Sequence, residues 1–281
     1  MAEHRFVAPG VVGSIPTSRP KVPCQLSDRT LQNPVDLQPK HANQHNIYVG
    51  CSGWAYASWK PAFYPSSVSS KNFLAYYATQ LNSVEVNYTF RSLPRRSMID
   101  AWLAATNDSF RFSFKAPQRI THLSRLKNCR EAFAAFIESI APAADAGRLG
   151  IILLQLPPNM KADIDRLHSF FQDIASFRHR LAFEFRHESW FAEPVYALLR
   201  ENSAALCVAE SEDLTTPDIR TAPFSCYRLR KPLYSKSNLD AIKKNLSARA
   251  THGEVFAYFK HEEEPTGPLY AATVLHGQRQ A

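Results

Sequence analysis

Eight short runs of apolar, β-branched or aromatic residues punctuate the chain after residue 46. They are "NIYVGC" (46–51), "SVEVNYTF" (83–90), "FRFSFKA" (110–116), "GIILLQL" (150–156), "LAFEFR" (181–186), "ALCVAE" (205–210), "FSCYRLR" (224–230) and "EVFAYFK" (254–260). Each has strand length. Between most of them apolar residues recur at helical spacing. "KNFLAYYATQL" follows the first run, "RRSMIDAWLAAT" the second, "CREAFAAFIESIAPAADAG" the third and "IDRLHSFFQDIA" the fourth. "EPVYALLREN", "NLDAIKKNLSARA" and "LYAATVLHG" follow the fifth, seventh and eighth. Pro94 suits the start of the second helix and Gly147 the stop of the third. The sixth run is followed only by "SEDLTTPDIRTAP", too short and too broken by proline for a full helix.

Strand–helix alternation predicts a parallel sheet. Eight units over roughly 230 residues fit an α/β, TIM-type (β/α)8 barrel with a degenerate sixth βα unit. The rival, an open doubly wound sheet, lacks its glycine-rich dinucleotide turn, and the whole chain holds only nine glycines. Residues 1–46 are rich in Pro, Gln, Asn and Ser and lack apolar periodicity, so they read as a disordered or loosely ordered N-terminal tail. Residues 47–281 then form a single barrel domain.

Successive strand residues point to opposite faces. Val84 and Val86 alternate with Glu85 and Asn87; Phe110, Phe112 and Phe114 alternate with Arg111, Ser113 and Lys115; Leu181, Phe183 and Phe185 alternate with Glu184 and Arg186. In a closed barrel one face meets the helices and the other the interior. The apolar set covers the helix side, so the polar set points inward. Glu85, Asn87, Lys115, Gln155, Glu184, Arg186, Arg228 and Lys260 are thus expected inside, most of them near the C-terminal strand ends where active sites of this fold lie. Lys115, Arg186, Arg228 and Lys260 outnumber Glu85 and Glu184. That excess favours an anionic ligand, because desolvated charges need partners. The competing reading is a self-satisfied ion-pair network that fixes barrel geometry.

Composition narrows the classes. The formal charge is +8, which favours anionic partners such as phosphates or nucleic acid, although no compact Lys/Arg run or nucleic-acid motif occurs. No apolar run is long enough to span a bilayer, so no membrane association is expected. The N-terminus lacks the pattern of a secretory signal. Five scattered cysteines without metal spacing suggest free thiols in a reducing compartment, and the cytoplasm is the expected location.

Six blocks carry a resemblance. "GCSGWAYASWKPAFYP", "NSVEVNYTFRSLP", "FRFSFKAPQRITH", "LGIILLQLPP", "LAFEFRHESWF" and "VFAYFKHEEEPTGPLYAA" resemble, in order, the YecE-like family, also called domain-of-unknown-function family 72. The resemblance runs from about Ile47 to Ala272 and implies a TIM-type barrel. It also carries a fold-level link to phosphodiester-cleaving barrels of the apurinic endonuclease type, which is analogy. The chain departs from the family pattern in its abbreviated sixth connection and at "RLRKP", where Arg230 stands at a position many relatives fill with histidine.

The candidate chemistry follows. Glu184 and Glu85 are a candidate acid and base pair. Paired carboxylates also serve glycosidases, but the cationic excess favours a phosphorylated over a neutral sugar. Lys115 is a candidate phosphate ligand, or a base if desolvation lowers its pKa. Arg186, Arg228 and Arg230 suit bidentate phosphate or carboxylate recognition, the competing reading for Arg230 being a side chain turned to solvent. Asn87, Gln155, His187, Lys260, Trp54 and Trp190 complete the expected binding set, the tryptophans as stacking surfaces. Tyr56 and Trp59 share the first loop, where Trp59 reads as core. His122, His187 and His261, with Glu85, Glu184 and Glu210, supply metal-ligand types. They have no local ligand spacing and stand beside competing cations, so no metal is expected. No cofactor motif, Ser-His-Asp elbow or phosphate loop occurs, and Cys51 reads as an inert thiol. The leading expectation is an enzyme acting on a small anionic or phosphorylated substrate by acid–base or hydrolytic chemistry. The alternatives are a non-catalytic nucleic-acid-binding barrel and a structural or partner-binding barrel.

Overall fold

A computed structural model describes residues 46–211, 213–260 and 264–277. The expected tail, save Asn46, and the candidate His261 lie outside the described residues. Eight parallel strands, β1 (Ile47–Cys51), β2 (Ser83–Val86), β3 (Arg111–Lys115), β4 (Leu149–Gln155), β5 (Leu181–Glu184), β6 (Ala205–Ala209), β7 (Ser225–Leu229) and β8 (Val255–Phe259), form one sheet. The ladder order is β1-β8-β7-β6-β5-β4-β3-β2. The expected α/β TIM-type barrel is the fold observed.

Seven α-helices accompany the strands among the described residues: α1 (Phe73–Gln80), α2 (Arg96–Ala104), α3 (Arg130–Asp145), α4 (Ile164–Asp173), α5 (Glu193–Glu201), α6 (Lys236–Ala250) and α7 (Thr266–His276). β6 runs on to β7 without a helix, as the proline-broken segment predicts. Gly147, at φ +67°, follows the end of α3 in the left-handed region where glycine carries no penalty. Asp163 caps α4 by accepting the Arg166 amide at 3.0 Å, and Ser235 and Asn238 form a reciprocal box at the start of α6. None of these helices is long and apolar enough to cross a membrane.

β1 and β2 are the two ends of the ladder order, and side chains bridge them. Asn82 accepts the Val49 amide at 2.8 Å and donates to the Ile47 carbonyl at 2.8 Å. The Tyr77 hydroxyl accepts the Cys51 amide at 2.7 Å and donates to the Ser83 carbonyl at 3.0 Å. Asn87 donates to the Ser52 carbonyl at 3.0 Å. Buried backbone groups need partners, and these three side chains supply them across the seam. Gly50 permits the approach: a Cβ there would lie 1.8 Å from the Ser83 carbonyl oxygen.

The outward strand faces pack under the helices, with Val84, Val86, Phe112, Phe114, Phe183 and Phe185 in one continuous core. The interior differs from a uniformly polar inward set. A second apolar cluster, including Tyr48, Ile151, Leu153, Cys207, Cys226 and Phe256, fills part of it. Tyr48 stacks on Phe256 with ring centroids 4.9 Å apart. The Tyr258 hydroxyl lies 2.7 Å from Ser83 Oγ and 2.6 Å from Ser113 Oγ. Ser113 Oγ also accepts the Ile151 amide, where the β3–β4 register shifts. The inward charges gather at the C-terminal strand ends, above this plug.

Candidate functional site

Period-two alternation turns Glu85, Glu184 and Arg228 inward from β2, β5 and β7, and all three are buried. Arg228 donates through Nε to Glu85 Oε2 at 2.8 Å, through Nη2 to Glu85 Oε1, and through Nη1 to Glu184 Oε2. Strand register sets Gln155 opposite Glu184, and Gln155 Nε2 donates to Glu184 Oε1 at 2.9 Å. Gln155 Oε1 in turn accepts from Lys115 Nζ at 2.8 Å. The chain Glu85–Arg228–Glu184–Gln155–Lys115 therefore crosses five strands without a break.

Burial alone would push both carboxyls up, but the Arg228 charge and hydrogen bonds outweigh it. Glu85 is held below its ordinary range, and Glu184 falls to about 2. Arg228 is pushed the opposite way: burial would lower it, and the two carboxylates hold it more firmly protonated than usual. Both glutamates thus favour their ionised forms, and each of their carboxylate oxygens accepts a hydrogen bond from Arg228 or Gln155. Lys115 differs. Burial first, then the nearby Arg228, lower its pKa to about 8. Its ammonium lies 4.2 Å from the centre of the Phe90 ring, and no carboxylate among the described residues pairs with it within 4 Å.

Above this floor opens a cavity of about 610 Å³. Its lining includes Arg91, Lys115, Arg186, Arg228, Arg230 and Lys260, with Asn87 and Gln155 between them, and no Asp or Glu among the described residues. Arg186 and Lys260 are exposed, and Arg230 is half-buried with Nε unpartnered. Burial and the charge of Arg228 lower the pKa of Arg230. The Asn87 amide oxygen is likewise buried without a partner, while its nitrogen donates to the Ser52 carbonyl. This is a partly open cavity lined by cationic donors, the inverse of a cation site.

The remaining expected residues lie elsewhere. Trp190 is wholly buried, stacks on Phe185 with centroids 4.5 Å apart and donates to the Met160 carbonyl at 2.7 Å. Trp54 meets Trp102 edge-on at 5.3 Å. His187 accepts the Ser189 amide at 3.1 Å and caps a short turn. None of the three lines the cavity. Trp59 is fully buried, as its core reading anticipates. Glu210 accepts the Arg230 amide at 2.9 Å and the Tyr234 hydroxyl, binding a loop. Among the described residues no group of three or more His, Cys, Asp or Glu is arranged to hold a metal. Burial keeps Cys51 firmly protonated.

Tyr88, Phe90, Arg91 and Ser92 line the cavity and were not expected there. The second apolar run reads as strand through Phe90, but β2 stops at Val86 and a tight turn spans Tyr88–Phe90. Thr89 forces that turn: its hydroxyl bonds the Val86 carbonyl at 3.0 Å and the Lys115 carbonyl at 2.7 Å. The polar pair Asn87 and Thr89, both able to bond backbone locally, is the signal in the sequence. His122 meets Phe90 edge-on at 5.0 Å, and burial together with Lys115 lowers its pKa.

Comparison with known proteins agrees with this architecture. Residues 48–280 match the family described as "Protein of unknown function DUF72". UPF0759 protein YecE of Escherichia coli K12 is 30% identical over 148 residues, 52% of this chain and 51% of that protein. UPF0759 protein YunF of Bacillus subtilis is 27% identical over 159 residues, 53% and 54% of the two chains. The aligned part thus spans about half the length of these curated relatives. A crystal structure of a DUF72 family protein from Thermotoga maritima is 25% identical with TM-score 0.69, covering 82% of this chain and 97% of that one. A second, from Enterococcus faecalis, shares 18% identity with TM-score 0.70, covering 83% and 97%. The chain belongs to the DUF72 family.

Proposed function

Starting from a DUF72 barrel, we propose that this protein is an enzyme for a small phosphate-bearing substrate, bound in the cavity over the C-terminal strand ends and transformed through Lys115. The observation that carries this reading is the lining itself: six cationic side chains and no carboxylate among the described residues. Glu85 and Glu184 sit below, already spent on Arg228. An excess of cationic over anionic side chains around a concave site attracts an anion, and guanidinium groups grip phosphate bidentately. The volume, about 610 Å³, falls within the range of small-molecule sites. It suits a metabolite-sized ligand better than a nucleic-acid strand, which needs an open track.

The division of labour follows from the environments. Arg186, Arg230 and Lys260 hold the anion at the mouth. Lys115, deeper and against Phe90, has a neutral amine accessible near neutral pH and is the group able to exchange a proton or attack substrate. Arg228 with Glu85 and Glu184 fixes the floor.

The test is thermal stabilisation by inorganic phosphate, pyrophosphate, sugar phosphates and short oligonucleotides. A ligand at 100 times its dissociation constant adds about 2.7 kcal/mol. One small phosphate compound raising the midpoint in wild type, and failing in Arg186→Ala and Arg230→Ala, supports the reading. Stabilisation by oligonucleotides alone, or by none of the panel, overturns it.

A further inference from the structure

We propose that Lys115 is a carbonyl-capturing nucleophile, forming an imine with a phosphorylated ketone or aldehyde seated in the cavity; this deepens the phosphate-substrate reading above and rests on it. The geometry carries the inference. Lys115 ends β3 and reaches the cavity between Gln155 and Phe90. Gln155 is itself fixed, because its nitrogen is committed to Glu184, so its oxygen can only accept. It takes one amine hydrogen at 2.8 Å and leaves the lone pair of a neutral amine directed elsewhere. A lysine serving merely as a counter-ion is expected to sit on a carboxylate. The two carboxylates beneath are occupied by Arg228, and none among the described residues pairs with Lys115. Cationic neighbours favour the unprotonated amine, which is one way lysine nucleophiles are activated.

The step is balanced. The Nζ lone pair attacks the carbonyl carbon, and a proton passes from nitrogen to the former carbonyl oxygen. The C–O bond then breaks with loss of water, leaving C=N. The amine and the carbonyl compound go to imine and water, with no oxidant or reductant. Protonation of the imine places positive charge on the nitrogen that already lies 4.2 Å from the Phe90 ring centre, a position that stabilises a cation. Arg186, Arg230 and Lys260 at the mouth would hold the substrate phosphate, so the substrate is a short carbonyl compound with phosphate at its far end.

The experiment uses the full chain, dihydroxyacetone phosphate and sodium borohydride, which reduces an imine to a stable secondary amine. Intact-mass and peptide mass spectrometry locate the adduct. We expect a single adduct on Lys115, lost in Lys115→Arg. Unphosphorylated dihydroxyacetone should label at least ~10-fold more slowly, since a single lost charge-assisted contact already has that effect. Inorganic pyrophosphate should slow labelling by competing for the mouth. Adducts spread over exposed lysines, or unchanged by Lys115→Arg, overturn the imine. If pyrophosphate stabilises the folded protein and no Lys115 adduct forms, the imine falls and the phosphate site stands. If no phosphate compound of the panel stabilises the protein and no Lys115 adduct forms, both fall.

Discussion

Arg228 holds Glu85 through two guanidinium nitrogens at once, Nε at 2.8 Å from one carboxylate oxygen and Nη2 on the other, with both side chains sealed from solvent. The third nitrogen reaches Glu184. One cation thus neutralises much of a doubly anionic floor, and its charge helps lower the pKa of Lys115 and Arg230 above it.

Removing Arg228 should be severe. Arg228→Leu leaves two buried carboxylates without their cation, and breaking a buried pair costs about 3–5 kcal/mol. Adding Glu85→Gln and Glu184→Gln to the same chain should recover a substantial part, because the unpaired charges disappear. Urea midpoints of the single and triple variants, at constant m-value, measure the difference.

Acid should loosen the barrel through the same network. Glu184 has a folded pKa of about 2 against an ordinary 4.5. Its contribution to stability is complete above pH 4.5 and is lost as pH falls from there toward 2. Glu184→Gln should flatten that part of the stability curve while lowering stability at pH 7. Denaturant midpoints across the acid range provide the check.

Lys115 should report the charges around it. Its amine should half-titrate near pH 8, and in opposite directions when its neighbours change. Arg230→Ala removes a repelling cation and should raise the value. Glu184→Gln removes an attracting anion and should lower it. The pH profile of Lys115 acylation, read by peptide mass spectrometry in each variant, distinguishes the two signs.

The seam between β1 and β2 offers a packing test. Gly50→Ala would press a methyl group against the Ser83 carbonyl, and overpacking against backbone costs about 1–3 kcal/mol. Gly147→Ala meets nothing within 4 Å and strains only its positive φ, a penalty of about 1–2 kcal/mol. Gly50→Ala should also weaken protection of the Cys51 amide, which Tyr77 holds across the seam. Gly147→Ala should leave that amide unchanged in hydrogen exchange.

Much of the fold is legible in the chain because strand alternation and helix punctuation are local properties. Glu85, Glu184 and Arg228 announce an inward face by parity alone. Their pairing is not local: Glu85 and Arg228 are 143 residues apart, and nothing in a linear pattern says which inward cation meets which inward anion. Hence the chain shows two inward glutamates but not the Arg228 that stands between them. Trp190 misleads for a related reason. A tryptophan in a loop beside histidine and glutamate looks exposed and ready to stack, but its ring lies on Phe185 and its N–H on Met160, 30 residues back. Tyr88 and Phe90 mislead by extending a strand-like pattern past the point where Thr89 turns the chain.

The order of the ladder also sets an order of events. β1 is among the first segments of the barrel to be made, and its hydrogen-bonded neighbour is β8, the last strand. Its link to β2 consists of side chains from Tyr77, Asn82 and Asn87 rather than a backbone ladder. A growing chain can therefore assemble β2 through β7 as a curved ribbon by successive neighbour pairing, while β1 waits beside it. Because contacts between distant segments carry the largest loop-closure entropy, closing the ring is the step expected to come last, and the cavity over the strand ends would come into being with it.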